Sequence, residues 1–360
     1  MKLLTGIVSI VALLLTASAQ PPHMAVVAAA HASFHQTVGS RIAFTRLRED
    51  VFDRNSSFHF DAEIWIMNGD GSDPTRLTDN TTDDLGAEWS PDGRTIAFHG
   101  AQWNADRLTL ASPAQIFLLD VESGTEMPLV TGRFPSWSPN GRKIAFDTRD
   151  QKIFVINADG SDEVQLHPDP DPNVPKDPKY RGSVFPDWSP DGRRIAFIRN
   201  RIRDDDRPGT IPEIWLMNAD GSDPALLMNN AAGPDWSPDG RRIVFSSESE
   251  NIGNKDVYVM NADGTDPRRL TDYPGPDSDP DWSPDGRMIV FQRTFLQDTP
   301  PRQVDQLFVV SADGGEPTGE VSVALTDLPS GNAHPAWSRG RAVKACPDRS
   351  AVPAFCNGRN

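Results

Sequence analysis

Apolar positions along this chain fall in short runs separated by polar turns. Five runs share one form: Ile96-Ala97-Phe98, Ile144-Ala145-Phe146, Ile195-Ala196-Phe197, Ile243-Val244-Phe245 and Ile289-Val290-Phe291. Successive side chains of a strand point to opposite faces, so Ile and Phe share one face in each run. A second kind of run is nearly continuous, as in Ile64-Trp65-Ile66-Met67, Ile116-Phe117-Leu118-Leu119, Ile153-Phe154-Val155-Ile156, Ile214-Trp215-Leu216-Met217, Val257-Tyr258-Val259-Met260 and Leu307-Phe308-Val309-Val310. Runs of that kind predict strands covered on both faces. An Asn-Ala-Asp-Gly turn follows at Asn157, Asn218 and Asn261, with variants at Asn68 and Ser311, and a weaker strand such as Arg269-Leu270-Thr271 comes next. In such turns Asp or Asn bonds the nearby backbone, and Gly takes the positive φ that other residues resist.

A tryptophan anchors each repeat, at Trp89, Trp137, Trp188, Trp236, Trp282 and Trp337, with spacings of 48, 51, 48, 46 and 55 residues. Four copies read Trp-Ser-Pro-Asp-Gly, and the copy at Trp137 changes only Asp to Asn140. The unit therefore holds four strands in roughly 48 residues, which suits a β-propeller blade rather than a helical repeat. Each Trp is expected to fill the seam between adjacent blades, where a large ring buries most area. These residues resemble the TolB-like propeller repeats, a WD40-like class marked by the Trp-Ser-Pro-Asp-Gly turn and the Ile-Ala-Phe strand that follows it. The resemblance spans roughly residues 39–340. It implies the fold, while the motif itself is scaffold and carries no functional residue across. For the translocation proteins of the family it implies a periplasmic scaffold that binds a lipoprotein through its propeller, with an α/β domain ahead of the blades. Only about twenty residues separate Ala19 from Arg41. Propeller-mediated protein binding is therefore expected here, without that particular partnership.

The expected fold is all-β, a six-bladed propeller of four-stranded antiparallel blades. Arg41-Ile42-Ala43-Phe44 lacks a preceding Trp-Ser turn, and the last anchor, Trp337-Ser338, lacks following strands. Pairing the C-terminal strand with the N-terminal three closes the ring and leaves no exposed edge. Seven blades is the alternative, if residues 341–356 hide a degenerate set. In such a meander the uniform turns lie at one end. The variable connections, Leu47 to Ala62, Gly100 to Ala114, His167 to Pro186, Asn200 to Pro212, Ser246 to Lys255 and Thr294 to Asp305, lie at the other. Long irregular loops cost ordering entropy, so the end that carries them is read as the working face.

Candidate chemistry follows from that choice. The residue before the anchor Trp is Glu88, Asp187, Asp235 or Asp281 in four blades. Convergence of these carboxylates at the channel mouth would attract a cation or a basic partner, unless each caps its own turn or Arg133 and Arg181 neutralise them locally. His167 and His334 complete the candidate binding set, with no catalytic residue and no metal ligand assigned. Asn157 to Asp162 looks like the opening of a calcium loop but lacks the twelfth-position Glu, and its repetition favours a structural turn. No Gly-x-Ser-x-Gly elbow or phosphate loop occurs. The expected function is a non-catalytic protein-binding scaffold without cofactor, apart from a cation at the channel mouth; a glycan lyase or hydrolase at the same face is the alternative.

Composition adds compartment and partner. Lys2, the apolar run Leu3 to Leu15 and Ala17-Ser18-Ala19 have the order of a secretory signal. That run is too short for a bilayer span of roughly 20 residues. Residues 1–19 are read as the signal, 20–38 as a linker, 39–340 as the propeller and 341–360 as a tail, in a secreted or periplasmic protein. In an oxidising compartment Cys346 and Cys356, the only two cysteines, can close a short disulfide loop; two free thiols is the other reading. A net charge of −16 argues against nucleic acid, since phosphate binding needs a basic surface. A basic or cationic protein or small ligand, bound by a monomer, fits better.

Overall fold

The computed structural model describes residues 40–47, 62–102, 112–166, 179–203, 209–248, 254–298, 301–314, 322–326 and 331–339. Blade I holds β1 (Arg41–Leu47), β2 (Ala62–Asn68) and β3 (Thr75–Arg76), and blade II holds β4 (Asp83–Trp89), β5 (Thr95–Ala101), β6 (Gln115–Asp120) and β7 (Glu126–Thr131). Blade III follows with β8 (Arg133–Trp137), β9 (Lys143–Asp147), β10 (Ile153–Asn157) and β11 (Val164–Leu166), and blade IV with β12 (Tyr180–Trp188), β13 (Arg194–Ile202), β14 (Thr210–Asn218) and β15 (Ala225–Asn229). Blade V is β16 (Ala231–Trp236), β17 (Arg242–Glu248), β18 (Lys255–Asn261) and β19 (Arg268–Arg269); blade VI is β20 (Asp277–Trp282), β21 (Met288–Asp298), β22 (Pro301–Ser311) and β23 (Val323–Ala324). The last strand, β24 (Asn332–Trp337), returns to blade I and pairs antiparallel with β1, Ile42 opposite Trp337 and Ala43 opposite Ala336. Ser338 N–H donates to the Arg41 carbonyl at 2.7 Å, and Arg41 N–H donates to Ser338 Oγ at 2.9 Å. The six four-stranded sheets thus form a closed ring.

The core lies between blades. Ile42, Phe44 and Met67 of blade I pack with Met288, Val290, Leu307 and Val309 of blade VI around Trp337. Ile64 and Ile66 of the same blade face Trp89, Ile96 and Phe98 of blade II. Each middle strand therefore buries both faces, which is why its sequence is almost continuously apolar. All six anchor tryptophans are buried, and removing one such ring costs about 3–5 kcal/mol.

The turns are self-contained. Ser90 Oγ donates to Asp92 Oδ1 at 2.7 Å, Arg94 N–H donates to the same oxygen, and Thr95 N–H donates to Ser90 Oγ at 2.9 Å. In the second turn type, Asn157 Nδ2 donates to Ser161 Oγ and Asp162 Oδ2, and Ser161 donates to Asp159 Oδ1. The same bonds recur from Asn68, Asn218 and Asn261. These carboxylates hold their own backbone, as expected of a structural turn.

One expectation needs correction. Parts of the variable connections are strand, not irregular loop: β21 and β22 pair from Met288 opposite Ser311 out to Asp298 opposite Pro301, and β13 and β14 pair out to Ile202 opposite Thr210. Antiparallel neighbours joined by a hairpin extend their ladder wherever both arms can pair. Among the described residues, the ladders of blades IV and VI run furthest toward that end.

Candidate functional site

The inner strand of each blade, β4, β8, β12, β16, β20 or β24, lines the central channel with one recurring distortion. Three residues before each anchor Trp the backbone turns to positive φ, at Gly86 (62°), Phe134 (48°), Phe185 (54°), Gly233 (60°), Asp279 (49°) and His334 (48°). Pairing with the next strand slips there in every blade. An extra residue in one strand bends it and re-aims the side chains on either side. Two layers result. Around the ring the outer layer reads His334, Gly86, Phe134, Phe185, Gly233, Asp279, and the inner layer, one residue before the Trp, reads Ala336, Glu88, Ser136, Asp187, Asp235, Asp281. Both layers wall one cavity of about 140 Å³ on the side of the variable connections. A second cavity of about 210 Å³, on the tight-turn side, is walled by Pro91, Pro139, Pro190, Pro238 and Pro284. Glu88 borders both cavities, so the inner layer separates them.

The inner layer staples blades together. Asp187 Oδ2 accepts from Trp236 N–H at 3.1 Å, Asp235 Oδ2 accepts from Trp282 N–H at 2.8 Å, and Ser136 Oγ accepts from Trp188 N–H at 3.3 Å, each from the next blade. The acceptors reach forward around the ring rather than capping their own turns. Arg339 stands where the other five repeats have proline, and its guanidinium donates to Asp235 Oδ1 at 2.6 Å. Among the described residues it is the cation that faces the ring. Of the two neutralisers expected from sequence, Arg133 is engaged with Asp147 at 2.8 Å and Arg181 is exposed.

One guanidinium does not balance four carboxylates. Burial raises the Glu88 carboxyl to about 7 despite Arg339, with Asp235 adding to the rise. Burial likewise holds Asp187 and Asp281 well above the usual carboxylate range, and the neighbouring acids reinforce it. Arg339 is driven the other way: burial opposes its charge, but the surrounding carboxylates raise its pKa further. The ring therefore retains protons at near-neutral pH unless another positive charge arrives.

The outer layer has an aromatic side and a polar side. Phe134 and Phe185 lie with ring centroids 4.0 Å apart, and Phe134 also meets His99 at 4.6 Å, edge to face. His99 is buried and its Nδ1 accepts from Phe134 N–H at 3.4 Å. Burial, aided by His334 and Arg133, lowers its pKa to about 3, so it stays neutral. The His334 ring lies 6.1 Å from that of Phe134, edge to face, and its Nδ1 sits 3.1 Å from Asp279 Oδ2. Burial disfavours both charges, yet each favours the other: the His334 pKa is raised and the Asp279 pKa is lowered.

The structure thus brings Glu88, Asp187, Asp235, Asp281 and His334 to the wall of one cavity, while His167 and the Cys346–Cys356 pair lie outside the described residues. Asp279, from the acidic run Asp277-Ser278-Asp279-Pro280-Asp281 that enters β20, reaches the same wall. Sequence reading missed Arg339, Phe134 and Phe185. For Arg339 a signal existed, the lost Pro-Asp of the last repeat. For the other two the signal was positional, the third residue before each Trp.

Residues 179–343 match the TolB beta propeller domain. An uncharacterized protein of Agrobacterium fabrum is 30% identical over 169 residues, 45% of this chain and 52% of that one, so the chain spans about half the length of the curated relative it matches. TolB from Acinetobacter baumannii has a similar structure, with TM-score 0.62 and 20% identity over 88% of this chain and 71% of the other. A putative TolB from Agrobacterium tumefaciens gives 0.54 and 20% over 82% and 91%. A chain of the nidogen/laminin complex gives 0.55 at only 10% identity over 84% and 100%, so at this level likeness speaks for fold alone. By its repeats and its closed ring the chain is a six-bladed β-propeller, and within it residues 179–343 are similar to the TolB beta propeller domain.

Proposed function

We propose that this propeller is an exported, non-catalytic scaffold that holds a partner protein on the face bearing the variable connections, with a basic element of the partner over the channel. The observation that carries this reading is the chemistry of that end of the channel. An aromatic pair, a His–Asp pair and a deeper carboxylate layer converge on a concave, six-sided mouth. Aromatic rings beside fixed charges are typical anchors in protein interfaces. Strained backbone at Phe134, Phe185, Asp279 and His334 keeps those groups aimed inward at a cost of order 1–3 kcal/mol each, which a purely structural ring could avoid with glycine, as at Gly86 and Gly233. The opposite end supports the choice by contrast, since its turn carboxylates are consumed by their own backbone bonds.

The test is photo-cross-linking in the native host. A photoreactive phenylalanine analogue replaces Phe185 at the mouth or Asp220 on the tight-turn face. Discrete protein adducts from position 185, with none from position 220, are expected. Adducts confined to position 220, or none at either position, would defeat the assignment.

A further inference from the structure

Resting on the scaffold reading, we infer that the channel receives a single lysine or arginine side chain of the partner, its apolar stem passing Phe134 and Phe185 and its charged head lodging between Asp281 and Glu88 beside Ala336. The inner layer is uneven in a way that singles out this place. Asp187 and Asp235 are occupied by backbone donors of the next blade, and Asp235 also holds Arg339. Asp281 is 7% exposed, lines the cavity, and its Oδ1 has no hydrogen-bond donor among the described residues. A buried acceptor left without a partner costs about 1–3 kcal/mol, more when charged, so this oxygen marks where a donor is wanted. Around the ring Asp281 and Glu88 flank blade I, whose equivalent residue is Ala336, the smallest of the six. Two carboxylates thus face a position that carries no polar side chain of its own.

The class of ligand follows from the walls. Lysine and arginine present a hydrocarbon stem below a charged head, and such stems lie against apolar surface while the head finds its partners. Phenyl faces at the entrance add attraction for the passing cation. Among the described residues no three His, Cys, Asp or Glu side chains are placed to hold a metal ion together, which favours an organic cation over a bare one. The raised Glu88 and Asp281 carboxyls give binding a pH sense: an entering cation displaces protons, so affinity rises as pH climbs through about 7, with Arg339, Asp187 and Asp235 as the other charges facing the site.

Titration of the intact protein with n-butylguanidinium, and with n-butylurea as its neutral isostere, tests this by calorimetry and by the ring resonances of Phe134 and Phe185. Saturable binding of the guanidinium, at least tenfold tighter than the urea and weakened at least tenfold in Asp281→Asn, is expected. Glu88→Gln should act alike if Asp281→Asn folds poorly, while Asp239→Asn on the tight-turn face should change nothing. Equal binding of urea and guanidinium, no saturable binding, or calcium binding more tightly through Asp281 would each overturn the inference. A negative titration with cross-links still forming at position 185 would remove the cation pocket alone; loss of both would remove the scaffold reading too.

Discussion

At the scale of single residues, the third position before each tryptophan decides what the channel presents. Because the backbone there is left-handed, glycine fits without strain, whereas Phe134, Phe185, Asp279 and His334 bear it. Gly86 and Gly233 share nearly the same φ but not the same surroundings: an added Cβ at Gly86 would lie 3.1 Å from the Phe134 ring and 3.2 Å from His99 Nδ1, while at Gly233 the nearest atom is Pro280 Cδ at 3.7 Å. Gly233→Ala should therefore cost only the backbone strain, about 1–2 kcal/mol, and Gly86→Ala clearly more, as read from urea unfolding. A larger loss at Gly233 would show that crowding is not the deciding factor. The His334–Asp279 pair makes a second expectation. Asp279→Asn removes the charge that outweighs burial, so the imidazole pKa should fall below its wild-type value in an NMR titration of the ring protons. No change would mean that Asp279 does not face the imidazole in solution.

At the scale of elements, β24 and β1 form the clasp. Losing β24 would expose the faces of Ile42 and Ala43 and delete the Trp337 ring, itself worth about 3–5 kcal/mol against a typical total stability of 5–15 kcal/mol. A chain ended after Gly331 should lose its cooperative thermal transition, followed by circular dichroism, rather than fray at one blade. An unchanged transition would show that the ring stands without its clasp. Much of this was legible beforehand. The Ile-Ala-Phe strands, the tryptophan seams and the ring closure follow from periodicity and from where the first and last repeats are incomplete. The extension of β21 and β22 was not, because Thr294-Phe295-Leu296 reads equally as loop or strand until its partner arm is known. Nor was the direction of Arg339: its place in the repeat was visible, but only the register of β24 against β1 points it into the channel. Asp279 and His334 pair because their blades are neighbours, a relation invisible in two residues 55 positions apart.

At the scale of the whole molecule, these buried acids set how stability varies with pH. Burial raises Asp84 and Glu88 to about 7 and holds Asp187 and Asp281 well above the usual range, whereas unfolded carboxyls titrate near 4. Between about pH 4 and 7 the folded state then binds more protons than the unfolded one, so these groups make stability fall as pH rises through that window. His334, with its raised pKa, acts in the same sense. His99 opposes them: its folded pKa of about 3 makes stability fall as pH drops below the unfolded value near 6.5. The lowered turn carboxylates, such as Asp159 and Asp220, matter only near and below pH 4. Among the described residues the raised acids, to which Asp147 at about 6, Asp235 and Glu126 also belong, outweigh the one depressed imidazole, and the melting temperature should be higher at pH 5 than at pH 7.5. The net charge of −16 works in the same direction through self-repulsion, but salt screens surface charge and hardly reaches buried groups. The difference should therefore persist in 1 M salt, where the Debye length is about 3 Å, and shrink in Asp281→Asn and Glu88→Gln. A melting temperature that rises from pH 5 to pH 7.5 would mean that the ring is ionised and compensated by more than the Arg339 guanidinium, the one that faces it among the described residues.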